Sequence, residues 1–162
     1  MSYGFVVLLH VLGAVVFVLA HGVSMVTSFL LRGQRDRGRI ARLLRVSGGA
    51  VGFMYIGLLT LLVAGVAAGF MGTHWGRLWI WVSLAILVAV IAVMYLLATP
   101  FYGRMRAAAG VPGSEQLAAR LNPPATPADL DALATSTRPF VLAAVGGIGL
   151  FLIVWLMLSK PF

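Results

Sequence analysis

Long apolar runs separated by short polar segments are the dominant pattern of this chain. The apolar runs cover residues 3–31, 46–71, 78–99 and 139–158. Each is at least about as long as the roughly 20 residues that a helix needs to cross a hydrocarbon core. The pattern therefore predicts an all-α fold, with residues 1–162 forming a single integral membrane bundle of four transmembrane helices.

The polar segment 100–138 lies between the third and fourth runs and has helical signals of its own. Residues 114–121 fit one short helix. A second start is indicated at Thr126, where a threonine N-cap is followed by Pro127 at the first helical position and Asp129 at the third. We expect a short helical segment against one mouth of the bundle. The third helix is expected to continue past Pro100 to about Ala109, because membrane helices tolerate proline when neighbours satisfy the freed carbonyl.

Arginines are distributed unevenly across the polar segments. Ten of them flank one side of the predicted bundle, six within Arg32–Arg45, whereas Arg77 and Lys160 alone flank the other. Short arginine-rich loops stay in the cytoplasm, so both termini are predicted outside it. The net charge of +8 is then explained by topology and not by nucleic acid. We also expect the Arg32–Arg45 loop to contact anionic lipid headgroups.

Composition excludes several function classes. Hydrophobic residues make up 61% of the chain and charged residues 10%, against about 25% charged in soluble domains. With no cysteine, disulfides, thiolate metal sites, iron–sulfur clusters and cysteine nucleophiles are excluded. No span carries a carboxylate and no catalytic constellation is evident, so an enzyme is not favoured. The many arginines, with abundant Ala, Gly and Val, indicate a prokaryotic plasma membrane.

Two histidines lie within the first apolar run. His10 and His21 are about three turns apart on one helical face, roughly 16 Å along the axis, together with small residues such as Gly13 and Ala20. Small residues mark the packing side of a membrane helix, so both imidazoles are expected to point into the bundle. They form a metal, haem or proton site, or they are neutral imidazoles bonded to neighbouring helices. His74, in the turn before the third span, is expected to be solvated.

Methionines and tyrosines are predicted at the depth of His21. Imidazole with thioether suits Cu(I) and haem ligation, so haem b or copper are the candidate cofactors. The cofactor candidates are His21, His10 and Met25. The metal candidates are His21, Met25, Met54 and Met94, with Tyr55 and Tyr95 nearby. The alternative is a structural or accessory subunit of a membrane complex, or a homo-oligomer, with no cofactor of its own.

Glycine pairs in the second span predict close helix packing. Gly48 with Gly52, and Gly65 with Gly69, have the four-residue spacing that lets helix backbones approach. The expected partner is the first span, its neighbour along the chain.

Several short words resemble a known family. The words are Leu9-His-Val-Leu-Gly-Ala14, Ala20-His-Gly-Val-Ser-Met25, the turn Trp75-Gly-Arg77 and the ending Lys160-Pro161. With the arginine loop, they resemble the integral membrane proteins grouped as domain of unknown function 2269, which implies a four-span fold. The first word is also similar to the copper-resistance protein D membrane domain and to HemJ-type haem-synthesis proteins. That similarity implies a copper or haem contact at His10.

Overall fold

The computed structural model describes residues 2–121 and 123–162, and the regular structure within these ranges is helical. The helices are α1 (Tyr3–Leu30), α2 (Arg37–Met71), α3 (Leu78–Ala109), α4 (Glu115–Arg120), α5 (Asp129–Thr135) and α6 (Arg138–Ser159), with a single 3-10 turn at His74–Gly76. Four of them, α1, α2, α3 and α6, are long and apolar enough to cross a membrane. The predicted four-span, all-α architecture is confirmed.

Two helices extend beyond the predicted apolar spans at the same end of the molecule. α2 begins at Arg37, well before residue 46, because the Asp36 side chain caps it by accepting from the backbone N–H groups of Gly38 and Arg39. α3 continues past Pro100, as expected, and ends at Ala109, where Gly110 caps it with a φ of 67°. We call this end, which carries ten of the eleven arginines, the arginine-rich end; the opposite one, with Trp75 and Trp79, is the tryptophan end.

α1 and α2 form one tightly packed antiparallel pair. Their backbones touch where Gly13 faces Gly57: a methyl group on Gly13 would lie 2.5 Å from the backbone nitrogen of Leu61. A methyl group on Gly57 would lie 2.6 Å from the backbone nitrogen of Phe17. Neither position has room for a side chain, so these two glycines set the distance between the helices.

α3 and α6 form the second pair. Gly149 of α6 lies against the side chain of Val90, which would clash with any β-carbon there. The two pairs meet through fewer contacts. Between α1 and α6 these include Gly146 against His21 and the rings of Phe29 and Phe140, 5.2 Å apart.

The largest buried cluster lies at the arginine-rich end and not in the middle of the spans. It is built from the start of α2, the end of α3 and the short helix α5. Its buried members are Leu31, Ile40, Leu44, Phe101, Met105, Ala108, Ala109, Val111 and Leu130. A smaller cluster at the tryptophan end contains Trp79, Ile80 and Leu156. The expected helical segment against one mouth of the bundle is thus present, with α5 packed into its core.

The glycine pairs of α2 are used differently from the prediction. Gly65 does contact the first span, through His10, and Gly69 lies against the Trp75 ring. Gly48 instead makes room for the guanidinium of Arg106 on α3, and Gly52 has open space beside it. The expectation that Gly48 and Gly52 pack on the first span was therefore wrong, because the helices cross nearer the middle, at Gly57.

Candidate functional site

His10 is bound to the neighbouring helix. Its Nδ1 donates a hydrogen bond of 2.8 Å to the backbone carbonyl of Leu61 on α2. That carbonyl is accessible because Gly65 follows it by one turn: a methyl group on Gly65 would lie 2.8 Å from Nδ1. The bond joins α1 to α2, and in a neutral ring it leaves the Nε2 lone pair free.

His21 lies between α1 and α6. Its ring stacks on Phe17, with ring centroids 6.0 Å apart, and its Nε2 would be 2.8 Å from a methyl group placed on Gly146. Within the described ranges the imidazole has no hydrogen-bond partner. The prediction that both histidines point towards other helices is met, but each meets a different helix. One ion or haem cannot bind both, since they are roughly 16 Å apart along α1.

Three of the residues proposed to surround His21 lie on the outer surface of the bundle. Met25, Tyr55 and Tyr95 are 38%, 60% and 65% exposed on the outer surface of the bundle. Met54 and Met94 are half-buried. Within residues 2–121 and 123–162, no group of three or more His, Cys, Asp or Glu side chains has the geometry to hold a metal ion.

His74 is half-buried in the turn rather than solvated. Its Nε2 shares a hydrogen bond of 3.2 Å with the Tyr3 hydroxyl, and its ring lies 6.1 Å from that of Trp79. The contact joins the start of α1 to the start of α3. The ammonium group of Lys160 also lies near this tryptophan, 5.9 Å from the Trp79 ring. The tryptophan end is thus closed by aromatic and cationic contacts.

Two arginines at the arginine-rich end form hydrogen bonds between α2 and α3. Arg106 donates to the carbonyl of Leu44 at 3.4 Å, and Arg37 donates to the carbonyl of Ala109 at 3.2 Å. Ala109 is the last residue of α3, where helix carbonyls lack intrahelical partners. These side chains therefore tie α2 to α3.

The carboxylates at this end are also engaged in local structure. Asp36 caps α2, and Asp129 pairs with Arg104 at 3.3 Å. Asp129 also accepts from the backbone N–H of Thr126 at 2.7 Å. That bond, followed by the charge of Arg104, lowers the pKa of Asp129 below its usual value. The Arg104–Asp129 pair is the one salt bridge in the described part of the chain, so the exposed Arg39 and Arg42 have no acidic partner there.

These features define a class: an all-helical, four-span integral membrane protein with a folded, arginine-rich end. The family model for predicted integral membrane proteins DUF2269 matches residues 5–161. The chain belongs to that family. No curated protein and no solved structure matches it.

Sequence reasoning missed two features of the site. Gly57 has no glycine four residues away, so the spacing rule that selected the pairs overlooked it. Gly65 was selected as a helix contact but not as the position that opens the Leu61 carbonyl to His10. The four-residue step from Leu61 to Gly65 was a usable signal, because the residue one turn later covers a helix carbonyl.

Proposed function

We propose that the protein is a structural or accessory subunit of a membrane complex, anchored to anionic lipid by its arginine-rich end. In this proposal it resides in a prokaryotic plasma membrane with the arginine-rich end in the cytoplasm. The supporting observation is the exposed face of α2. Arg39, Arg42 and Arg45 lie on this face, and the exposed Phe53 and Ile56 lie on the same face further along the helix.

The order of these side chains along one face of α2 indicates how deep the arginines lie in the membrane. Phe53 and Ile56 are more than 60% exposed and belong in hydrocarbon. Arg39, Arg42 and Arg45 then stand two to four turns closer to the water, at the level of the phosphates. Near an anionic surface each such arginine is worth about 1 kcal/mol. None of the three arginines forms a salt bridge with a carboxylate among the described residues, which supports this role.

Lipid-dependent stability tests the anchoring role. Thermal unfolding would be compared in nanodiscs of phosphatidylglycerol and of phosphatidylcholine. We expect a higher melting temperature in phosphatidylglycerol, and loss of that difference in the triple variant Arg39→Gln, Arg42→Gln, Arg45→Gln. Arg77→Gln, at the tryptophan end, is the matched control and should keep it. Equal melting temperatures of the unmodified protein in both lipids would contradict the proposal.

A second candidate is binding of haem or copper through His21 or His10. It is supported by two observations: the His21 imidazole has no hydrogen-bond partner among the described residues, and His10 donates through Nδ1, leaving Nε2 to ligate. Metal-bound histidines commonly donate their other N–H to a carbonyl. Met25 would assist His21 only by turning inward from its exposed position.

An absorption spectrum and metal analysis of the purified protein separate the two candidates. A Soret band or stoichiometric copper that disappears in His21→Ala or His10→Ala would support a ligand. A ligand held at a hundred times its dissociation constant adds about 2.7 kcal/mol of stability, more than a typical interhelical hydrogen bond. A protein that is folded, colourless and free of copper would discard this candidate.

A further inference from the structure

An apolar groove of about 500 Å³ lies between α3 and α6 and opens to the surroundings of the bundle. Its wall on α6 includes Val141, Val145 and Leu152, and its wall on α3 includes Ile86 and Ala89. The volume is within the range of roughly 300–1,000 Å³ that small-molecule sites occupy. In a membrane protein the groove faces hydrocarbon, so its occupant must be apolar along this length.

The groove covers only half of the membrane. From Val141 to Leu152 it runs roughly 16 Å along α6, about half of the ~30 Å hydrocarbon core. Towards the tryptophan end the two helices are closed by the buried Trp79, Ile80 and Leu156. A transmembrane helix from a partner would need a surface across both leaflets. One acyl chain of the leaflet at the arginine-rich end needs no more than this length.

A cationic side chain lies just beyond the groove, on its side towards the arginine-rich end. Arg138 precedes Val141 by one turn of α6. Its Nη1 donates to the carbonyl of Leu97 on α3 at 3.4 Å, and its guanidinium lies 5.9 Å from the Phe101 ring. These contacts hold it between the two helices. The side chain is exposed, and no carboxylate among the described residues pairs with it.

We propose that the α3–α6 groove is a binding site for one phospholipid with an anionic headgroup. One acyl chain occupies the groove, and Arg138 binds the phosphate through the guanidinium N–H groups that Leu97 does not use. The site needs the chain to be in a membrane but none of the α2 arginines. It is therefore independent of the lipid anchoring described under Proposed function.

Native mass spectrometry of protein released from nanodiscs of mixed phosphatidylglycerol and phosphatidylcholine tests the groove. We expect one retained phosphatidylglycerol per chain. Ala89→Phe and Ala144→Phe fill the groove and should abolish retention. Ala92→Phe is the matched control, because Ala92 is exposed on α3 outside the groove, and it should retain the lipid. Equal retention by Ala144→Phe and Ala92→Phe would overturn the proposal.

Arg138→Gln tests the headgroup contact. We expect about fivefold weaker retention of phosphatidylglycerol, with the preference over phosphatidylcholine lost. The α2 triple variant should keep the retained lipid even if it loses lipid-dependent stability, which separates failure of this site from failure of the anchoring proposal. An unchanged preference in Arg138→Gln would refute the assigned role of this arginine.

Spin-labelled phosphatidylglycerol gives a second readout in intact nanodiscs. A motionally restricted component should be present for the unmodified protein and absent for Ala144→Phe, with unchanged helicity by circular dichroism. If the groove instead holds a second copy of the chain, the mass spectrum will show a lipid-free dimer that Ala144→Phe dissociates. That result would overturn lipid binding.

Discussion

The hydrogen bond between His10 and Leu61 depends on a third residue that takes no part in it. A helix carbonyl normally faces the next turn, where a side chain four residues later covers it. At Gly65 there is no side chain, and the imidazole approaches until its Nδ1 is 2.8 Å from the Leu61 oxygen. The glycine thus allows the helices to pack closely and also allows the histidine to form a hydrogen bond. Within a membrane the imidazole has no water to bond with instead.

A double-mutant cycle measures this dependence. Gly65→Ala should destabilise the protein, because its methyl group displaces the imidazole, and His10→Ala should cost a similar amount. Interhelical hydrogen bonds in membranes average about 0.6 kcal/mol and reach about 1.7. In the His10→Ala background, Gly65→Ala should cost little or nothing, since the group it displaces is gone. Thermal unfolding in detergent gives the free energies, with Gly52→Ala as the unhindered control. Strictly additive losses would show that Gly65 acts apart from His10.

At the scale of the element, α5 is short and is held by side chains rather than by its own length. Asp129 accepts from Thr126 before the helix and pairs with Arg104 of α3, while Leu130 enters the core at the arginine-rich end. A seven-residue helix is not stable alone in water, so these contacts keep it in place. The predicted threonine N-cap was wrong: the regular helix begins at Asp129, and both the backbone N–H and the hydroxyl of Thr126 donate to the Asp129 carboxylate.

Asp129→Asn should loosen α5. Because the pKa of Asp129 is lowered in the folded protein, its stabilising effect is complete above the usual carboxyl pKa of 3.8 and is lost as the pH falls below that value. At pH 7 the variant should therefore loosen the chain between Arg120 and α6, giving faster trypsin cleavage after Arg120 than in the unmodified protein; the bond after Arg138 precedes Pro139 and resists trypsin. The Asp131 carboxylate makes no hydrogen bond within the described residues. Trypsin should therefore cleave the Asp131→Asn variant at the same rate as the unmodified protein. Equal rates for both variants would show that the Asp129 contacts do not hold α5.

The elements were largely predictable from sequence, and their contacts were not. Apolar length determines a membrane span, so the four runs were found within a few residues, except where α2 and α3 continue past the hydrocarbon. Which face of a helix meets which neighbour depends on details that spacing does not reveal. Tyr55 was placed near His21 by depth alone, yet it points outward, because the crossing at Gly57 turns a different face of α2 towards α1.

At the scale of the molecule, the largest core lies where the bundle leaves the hydrocarbon. Between helices in lipid there is no hydrophobic driving force, so packing there relies on small residues and close contacts such as Gly13 with Gly57. At the arginine-rich end the chain meets water and apolar burial becomes favourable. The cluster around Leu44 and Met105 forms there, and it joins α2 to α3 where the spans themselves touch little.

Truncating a side chain in this cluster should therefore lower the free energy of unfolding more than truncating a side chain on the lipid-exposed surface. Leu44→Ala, at a position that is 1% exposed, should lower the free energy of unfolding by about 2–5 kcal/mol. Leu59→Ala, on the lipid-exposed face of the same helix, should change it by well under 1 kcal/mol, because lipid replaces the lost contact. Unfolding in detergent by heat or denaturant compares them. Equal losses would mean that the cluster is not the main stabilising core.

The uneven distribution of arginines also predicts the orientation of the whole molecule in the membrane. Ten arginines lie at one end, against Arg77 and Lys160 at the other, so the positive-inside rule directs the arginine-rich end to the cytoplasm and both termini to the outer side. The chain has no cysteine, so single cysteines report without background. Thr73→Cys in the exposed turn should react with a membrane-impermeant maleimide on intact cells, and Gln116→Cys in α4 should react only after permeabilisation. Both side chains are exposed in the structure, so a difference in labelling reflects the membrane and not burial. The reverse pattern would place the arginine-rich end outside and would remove the cytoplasmic leaflet as the source of its lipid.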